Sequence, residues 1–194
     1  THGQPEAVTD NLVVMALDYF RGHRQEVPPP VTAYFIPTMN PDGLADGTRL
    51  NADGVDLNRN WGSSDWSTNV SEPTGRLAGG GGPAPFSEPE SQAMRDFLLA
   101  NHAKASIFYH SPWGGIFEEP HSTAFGQALA AASGYPLHAP GDTPYPLTGS
   151  AHRWADEHGE VSALLELRPD GGVEWPANHA AMDAALQWLA ANPS

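Results

Sequence analysis

Four short stretches of the chain place side chains suited to catalysis or metal binding where a fold would present them. His2 stands just before a helix start and Glu6 follows four positions on, about one helical turn, so an imidazole and a carboxylate can face one point. Both groups bind zinc at ~2 Å. A lone His–Glu pair is also common surface decoration. His110 ends the apolar run 104–110 (KASIFYH), a strand end that suits a ligand or, equally, a half-buried hydrogen-bonded histidine. Glu166 sits inside Leu164-Leu165-Glu166-Leu167. A carboxylate among leucines is costly to bury unless it is paired or functional, and Arg168 offers a structural ion pair as the alternative. Residues 54–61 (GVDLNRNW) interleave polar and apolar side chains with no simple period, the pattern of a polar loop making specific contacts.

These residues need elements to carry them. Pro5 suits a first helical turn, and Val8, Leu12, Met15, Ala16 and Tyr19 follow at helical spacing until Gly22. The run Pro28-Pro29-Pro30 connects to a predicted buried strand over 31–36 (VTAYFI), closed by the turn Asn40-Pro41-Asp42-Gly43. Residues 62–86 are rich in Gly, Ser, Pro and Thr and predict a long surface loop. Ser87 and Glu90 read as a capping box opening a helix through Met94, Phe97 and Leu98. Strands are expected at 104–110 and 161–167, a helix at 122–133, and a terminal helix at 178–191 with Met182, Leu186 and Leu189 on one face. Strands alternating with helices predict an α/β sheet covered on both faces, with chemistry at loops beyond strand ends.

The 194 residues suit one domain with a sizeable core. A formal net charge of −14 repels phosphate backbones and argues against nucleic acid and anionic membranes. No run of 18 apolar residues predicts membrane insertion, and no basic-led apolar segment opens the chain. Cysteine is absent, which excludes thiolate metal sites and cysteine nucleophiles.

Taken together, Asn40-Pro41-Asp42-Gly43, the stretch 54–60 (GVDLNRN), 85–90 (PFSEPE), His110-Ser111 and Glu166-Leu167-Arg168 resemble, in order, the motifs of the carboxypeptidase A-like zinc metallopeptidases. The His-x-x-x-Glu opening is similar to that of a bacterial subgroup. The resemblance implies a three-layer α/β/α sandwich with a mixed, mostly parallel sheet, shortened at the N-terminus. It implies one zinc ion bound by His2, Glu6 and His110, with Asp56 holding His2 in its ligating tautomer. Glu166 is then the general base toward a zinc-bound water, Arg49 polarises the scissile carbonyl, Asn58 and Arg59 clamp the substrate's terminal carboxylate, and Tyr145 closes over it. In the family the bond after the His-Ser pair is typically cis; Pro112 makes cis cheap, at ~0.5–1 kcal/mol, and predicts a cis Ser111–Pro112 bond.

The activity implied is hydrolysis of the C-terminal peptide bond of a peptide with a free carboxylate. Cell-wall D-glutamyl or diaminopimelate peptide cleavage is the enzymatic alternative, and N-acyl amino acid deacylation another; a catalytically inactive binding domain is the non-enzymatic one. Arg153 or His152 could line a specificity pocket, although a solvated helix face is the plainer reading; the remaining histidines read as solvated or capping. The resemblance further implies a monomer exported to the cell envelope or medium of a bacterium.

Overall fold

The computed structural model describes residues 2–4 and 6–193, so the helix-opening role expected of Pro5 lies outside the described residues. Helix α1 (Ala7–Gly22) buries Leu12, Val13, Ala16 and Phe20, a stripe at three- and four-residue spacing, and leaves Met15 37% exposed. Asn40 opens a short helix, α2 (Pro41–Asp46), where a bare turn was expected: its side-chain oxygen accepts from Gly43 N at 2.9 Å. Three further helices cover the sheet: α3 (Pro89–Ala100), α4 (Thr123–Ser133) and α6 (Trp175–Ala191). A fourth, α5 (Ala151–Glu157), was not anticipated. The Ser87–Glu90 capping box does not form. Glu88 occupies the cap position without a side-chain cap, and the Ser87 hydroxyl donates to the Glu88 carboxylate.

The main sheet has the order β3-β6-β4-β5, with β3 (Ala105–His110), β4 (Gly115–Glu118), β5 (Leu137–His138) and β6 (Val161–Glu166). β6 runs parallel to β3 and antiparallel to β4, so the sheet is mixed. Side chains alternate across it. Tyr109, Ile116, Ala163 and Leu165 join the core formed with α1, α4 and α6, while Phe108, Phe117 and Leu164 face the other way. That is a three-layer α/β/α arrangement. Within the expected loop 62–86 the chain makes a separate ribbon, β1 (Val70–Glu72) paired antiparallel with β2 (Gly75–Leu77).

The strand expected over 31–36 does not form. The segment is extended, with Val31, Ala33 and Phe35 turned inward and Thr32, Tyr34 and Ile36 outward, but no backbone hydrogen bond joins residues 32–37 to any described residue. A strand exists only as part of a ladder. Between this segment and the outer edge of β3 lies a largely apolar groove of about 570 Å³. Among the described residues no helix is long and apolar enough to cross a membrane.

Candidate active site

The parallel register of β3 and β6 sets His110 beside Glu166 at the carboxyl ends of both strands. In open α/β sheets this is where ligands gather. The start of the chain reaches the same place. Gly3 passes so close to the Gly43 backbone and the Thr48 carbonyl that any side chain there would overlap them. This close pass brings His2 to within 4.8 Å of His110, ring centre to ring centre.

His2, Glu6 and His110 are all buried, and one potential ligand atom from each lies within 4.8 Å of the others. Glu6 Oε2 is 2.9 Å from His110 Nδ1, and Glu6 Oε1 is 3.8 Å from His2 Nε2. Three ligands on one tetrahedral zinc stand about 3.3 Å apart, so the set fits the ion with small adjustments. The chemistry of the donors agrees. Burial holds His2 below the ordinary histidine range and pushes His110 down to about 3, leaving both imidazoles neutral and able to donate lone pairs. Burial acts to raise Glu6, but the two imidazoles and Arg49 outweigh it and hold the carboxyl at about 2.

Asp56, fully buried, secures the arrangement. Its Oδ1 lies 3.1 Å from His2 Nδ1 and accepts from Asn58 N at 2.8 Å; its Oδ2 accepts from Arg49 Nε at 3.0 Å. The polar stretch 54–61 thus makes the specific contacts its pattern suggested. Asn60, also fully buried, ties that stretch to the Gly81 and Ala84 carbonyls, the Glu88 amide and the Ser91 hydroxyl. Trp61 wedges between Phe86, Phe108 and Trp154.

Glu166 lines the same small cavity as the His–Glu–His cluster, together with Arg49, Asn58, Arg59, Trp113 and Tyr145. Arg168 does not pair with it; that side chain is exposed and bonds Glu174 instead. Trp113 N donates to Glu166 Oε2 at 3.3 Å. Burial, then the charge of Glu6, push Glu166 up to about 8, so its carboxyl can exchange a proton near neutrality. Arg49 reaches Glu6 Oε1 at 3.0 Å. Asn58 spends both ends of its amide within the fold, on His110 Nε2 at 3.3 Å and Ala151 N at 3.0 Å. Tyr145 packs edge-on against Trp113, and the Arg59 guanidinium lies 6.0 Å from its ring. Ser111–Pro112 is cis, as expected.

His152 and Arg153 stand outside this cavity, and His152 is neither solvated nor capping. It is buried with Nε2 3.1 Å from Glu119, while Arg153 pairs with Glu119 and Asp65. Sequence reasoning passed over Pro73, Trp113 and Leu147, which line the cavity, and Glu72, which stands beside its arginines. Glu72 enters from β1, inside the tract rich in Gly, Ser, Pro and Thr, and nothing in its neighbours' pattern marks it.

Residues 6–122 match the model of the zinc carboxypeptidase family. Glu166 lies beyond that match. The chain is 32% identical over 158 residues to murein peptide amidase A of Escherichia coli strain K12, covering 77% of this chain and 64% of that protein. It is 30% identical over 177 residues to carboxypeptidase B of Astacus astacus, covering 73% and 58%. It therefore spans roughly three-fifths of these curated relatives. Among solved structures, murein-tripeptide amidase from Escherichia coli O157 superposes with a TM-score of 0.63 at 27% identity, over 82% of this chain and 68% of that one. Bovine thrombin-activatable fibrinolysis inhibitor shares the fold, with a TM-score of 0.79 at 20% identity over 98% and 81%. Because the family match takes in more than half of the sequence and holds both Glu6 and His110, the chain belongs to the zinc carboxypeptidase family.

Proposed function

We propose that the chain is the catalytic domain of a zinc-dependent peptidase that hydrolyses the bond next to a free C-terminal carboxylate. One arrangement carries this reading: a buried His–Glu–His cluster opening on the cavity that also holds Glu166, Arg49 and Arg59. Held by His2, Glu6 and His110, a zinc ion supplies a Lewis acid that polarises a carbonyl and acidifies water.

The chain's own residues do the rest. Glu166, steadied by the Trp113 amide, accepts a proton from the attacking water and returns it to the leaving amine. Arg49, which lines the cavity, stabilises the negative charge that develops on the scissile carbonyl oxygen. Arg59, with Asn58 at its side, offers a guanidinium to the substrate's terminal carboxylate. Tyr145 and Trp113 pack edge-on at the cavity wall, where Tyr145 closes over bound substrate.

The test uses zinc-loaded protein, N-acyl dipeptides with a free terminal carboxylate, and the matching amides. The free acids should be cleaved, a chelator should abolish cleavage and zinc should restore it. Glu166→Gln should lower kcat by about 10²–10⁴-fold with zinc content unchanged. Activity that survives chelation, or equal cleavage of acids and amides, contradicts the proposal. The similarity to murein peptide amidases favours one second reading, cleavage within a cell-wall peptide. Release of products from a murein tripeptide, with the dipeptides untouched, selects it.

A further inference from the structure

Strand β1 brings into the site a carboxylate that no step above uses. Glu72 is 6% exposed, and its Oε2 lies 2.6 Å from Arg49 Nε. Its Oε1 is 3.8 Å from Arg59 Nε. These approaches are not hydrogen bonds. The single hydrogen on Arg49 Nε is directed at Asp56 Oδ2. The terminal nitrogens of Arg59 are engaged by the Asn58 carbonyl at 2.9 Å and the Ser71 carbonyl at 3.4 Å. Arg59 Nε has no hydrogen-bond partner among the described residues, and neither Glu72 oxygen has one while the carboxyl is ionised; protonated, it shares its proton with Asp56.

A buried carboxylate and a buried guanidinium N–H thus face each other unbonded, where Arg49, Arg59, Pro73 and Tyr145 line the cavity. An unmet buried donor opposite an unmet buried acceptor is costly, and a ligand carboxylate placed there would satisfy the donor. The charges point the same way. Asp56 and Glu72 together offset the two guanidiniums, so an incoming anion gains little from the pair while Glu72 is ionised. Burial, and then the charge and hydrogen bond of Asp56, push Glu72 up to about 8, so it competes for the arginines as an anion once pH rises through that value. Its strand pairs only with β2 and forms no part of the main sheet.

We propose that Glu72 is an internal stand-in for a substrate carboxylate: it occupies the Arg49–Arg59 pair and sets how strongly the site takes an anionic substrate end. The inference rests on the terminal-carboxylate reading above and adds the residue that tunes it. Glu72 acts through the arginines and is a positioning residue.

Calorimetry of N-acetyl-phenylalanine and its amide on the zinc-loaded protein tests this without turnover. Glu72→Gln keeps the shape and removes the charge. At pH 9, where Glu72 is ionised, it should tighten binding of the acid about tenfold, the worth of one charged hydrogen bond, and leave the amide unchanged. In turnover at the same pH, KM for an N-acyl dipeptide should fall by a similar factor while KM for its amide stays put, a selectivity that a merely structural strut would not produce. Glu72→Asp draws the carboxylate back and should shift acid binding in the same direction by less; it carries the test if Glu72→Gln does not fold, as judged by thermal unfolding. Unchanged or weaker acid binding in the folded variants overturns the role of Glu72. A parent that does not prefer acid over amide overturns the terminal-carboxylate reading and this inference with it. A parent that prefers the acid, with variants that do not, removes this inference alone.

Discussion

At the scale of single residues, the site is governed by how buried carboxylates are partnered. Asp56 serves His2, Asn58 N and Arg49 at once, and those partners outweigh its burial and hold its carboxyl well below the usual range. An amide in its place keeps one acceptor and loses the charge. Asp56→Asn should therefore weaken zinc binding about 10–100-fold, the usual penalty for removing the group that orients a ligating imidazole. Competition with a chromogenic chelator measures it, and parent-like affinity would show that Asp56 does not orient His2. Glu160 is the contrasting case. It is buried, takes a hydrogen bond from the Ser106 hydroxyl and has no cation within ion-pair reach among the described residues, so burial raises its pKa. A raised folded-state pKa favours the protonated folded protein: that stability is present in acid and is lost as pH climbs past the ordinary glutamate range. Glu160→Gln should accordingly raise Tm at pH 8 and change it little at pH 4. A Tm difference that is the same at both pH values would rule out this account.

At the scale of elements, short polar segments hold the chemistry in place, and they were the hardest to read. Asn40 caps α2 through Gly43 N and also donates to the Arg49 carbonyl at 3.1 Å, so one buried amide links the helix start to the loop bearing Arg49. Asn40→Ala removes a cap and strands a carbonyl, about 2 kcal/mol together. In a chain of this size that corresponds to a fall in Tm of about 4–8 °C, readable by scanning calorimetry. A smaller loss means that water replaces the amide. The sequence marked α1, β3 and β6 because each buries a long stripe or run bounded by breakers. It did not mark β4 and β5, four and two residues long, nor the β1–β2 ribbon within its glycine-rich surroundings. The segment over 31–36 has the alternation of a strand and was misread, since a residue pattern reports which side is buried and not whether a neighbour supplies hydrogen bonds. In the site itself, His2, Glu6, His110 and Glu166 were legible as costly residue types at element ends. Glu72 was not, because only the fold brings its ribbon against the arginines.

At the scale of the whole molecule, two cavities divide the roles. The polar one, about 30 Å³ and lined by the metal-binding cluster, has room for roughly one water. The other, about 570 Å³, runs along the outer edge of β3 between Ile107, Tyr109, Ala33, Phe35 and Met182, and carries none of the His–Glu–His cluster. The roomier of these two cavities is therefore not the reactive one. Its lining is mostly apolar, and two of its lining residues, Tyr34 and Ile36, stand exposed. Apolar cavities of even 150 Å³ or so stay dry and take up apolar molecules. The folded protein should therefore bind an uncharged, environment-sensitive dye with enhanced, blue-shifted emission; an anionic dye is a poorer probe against a net charge of −14. Ala33→Phe, which fills the groove from the extended segment, should cut the enhancement by more than half, whereas Glu166→Gln in the other cavity should leave it intact. Native protein that leaves the dye's emission unchanged would show that the segment over 31–36 closes onto β3 in solution.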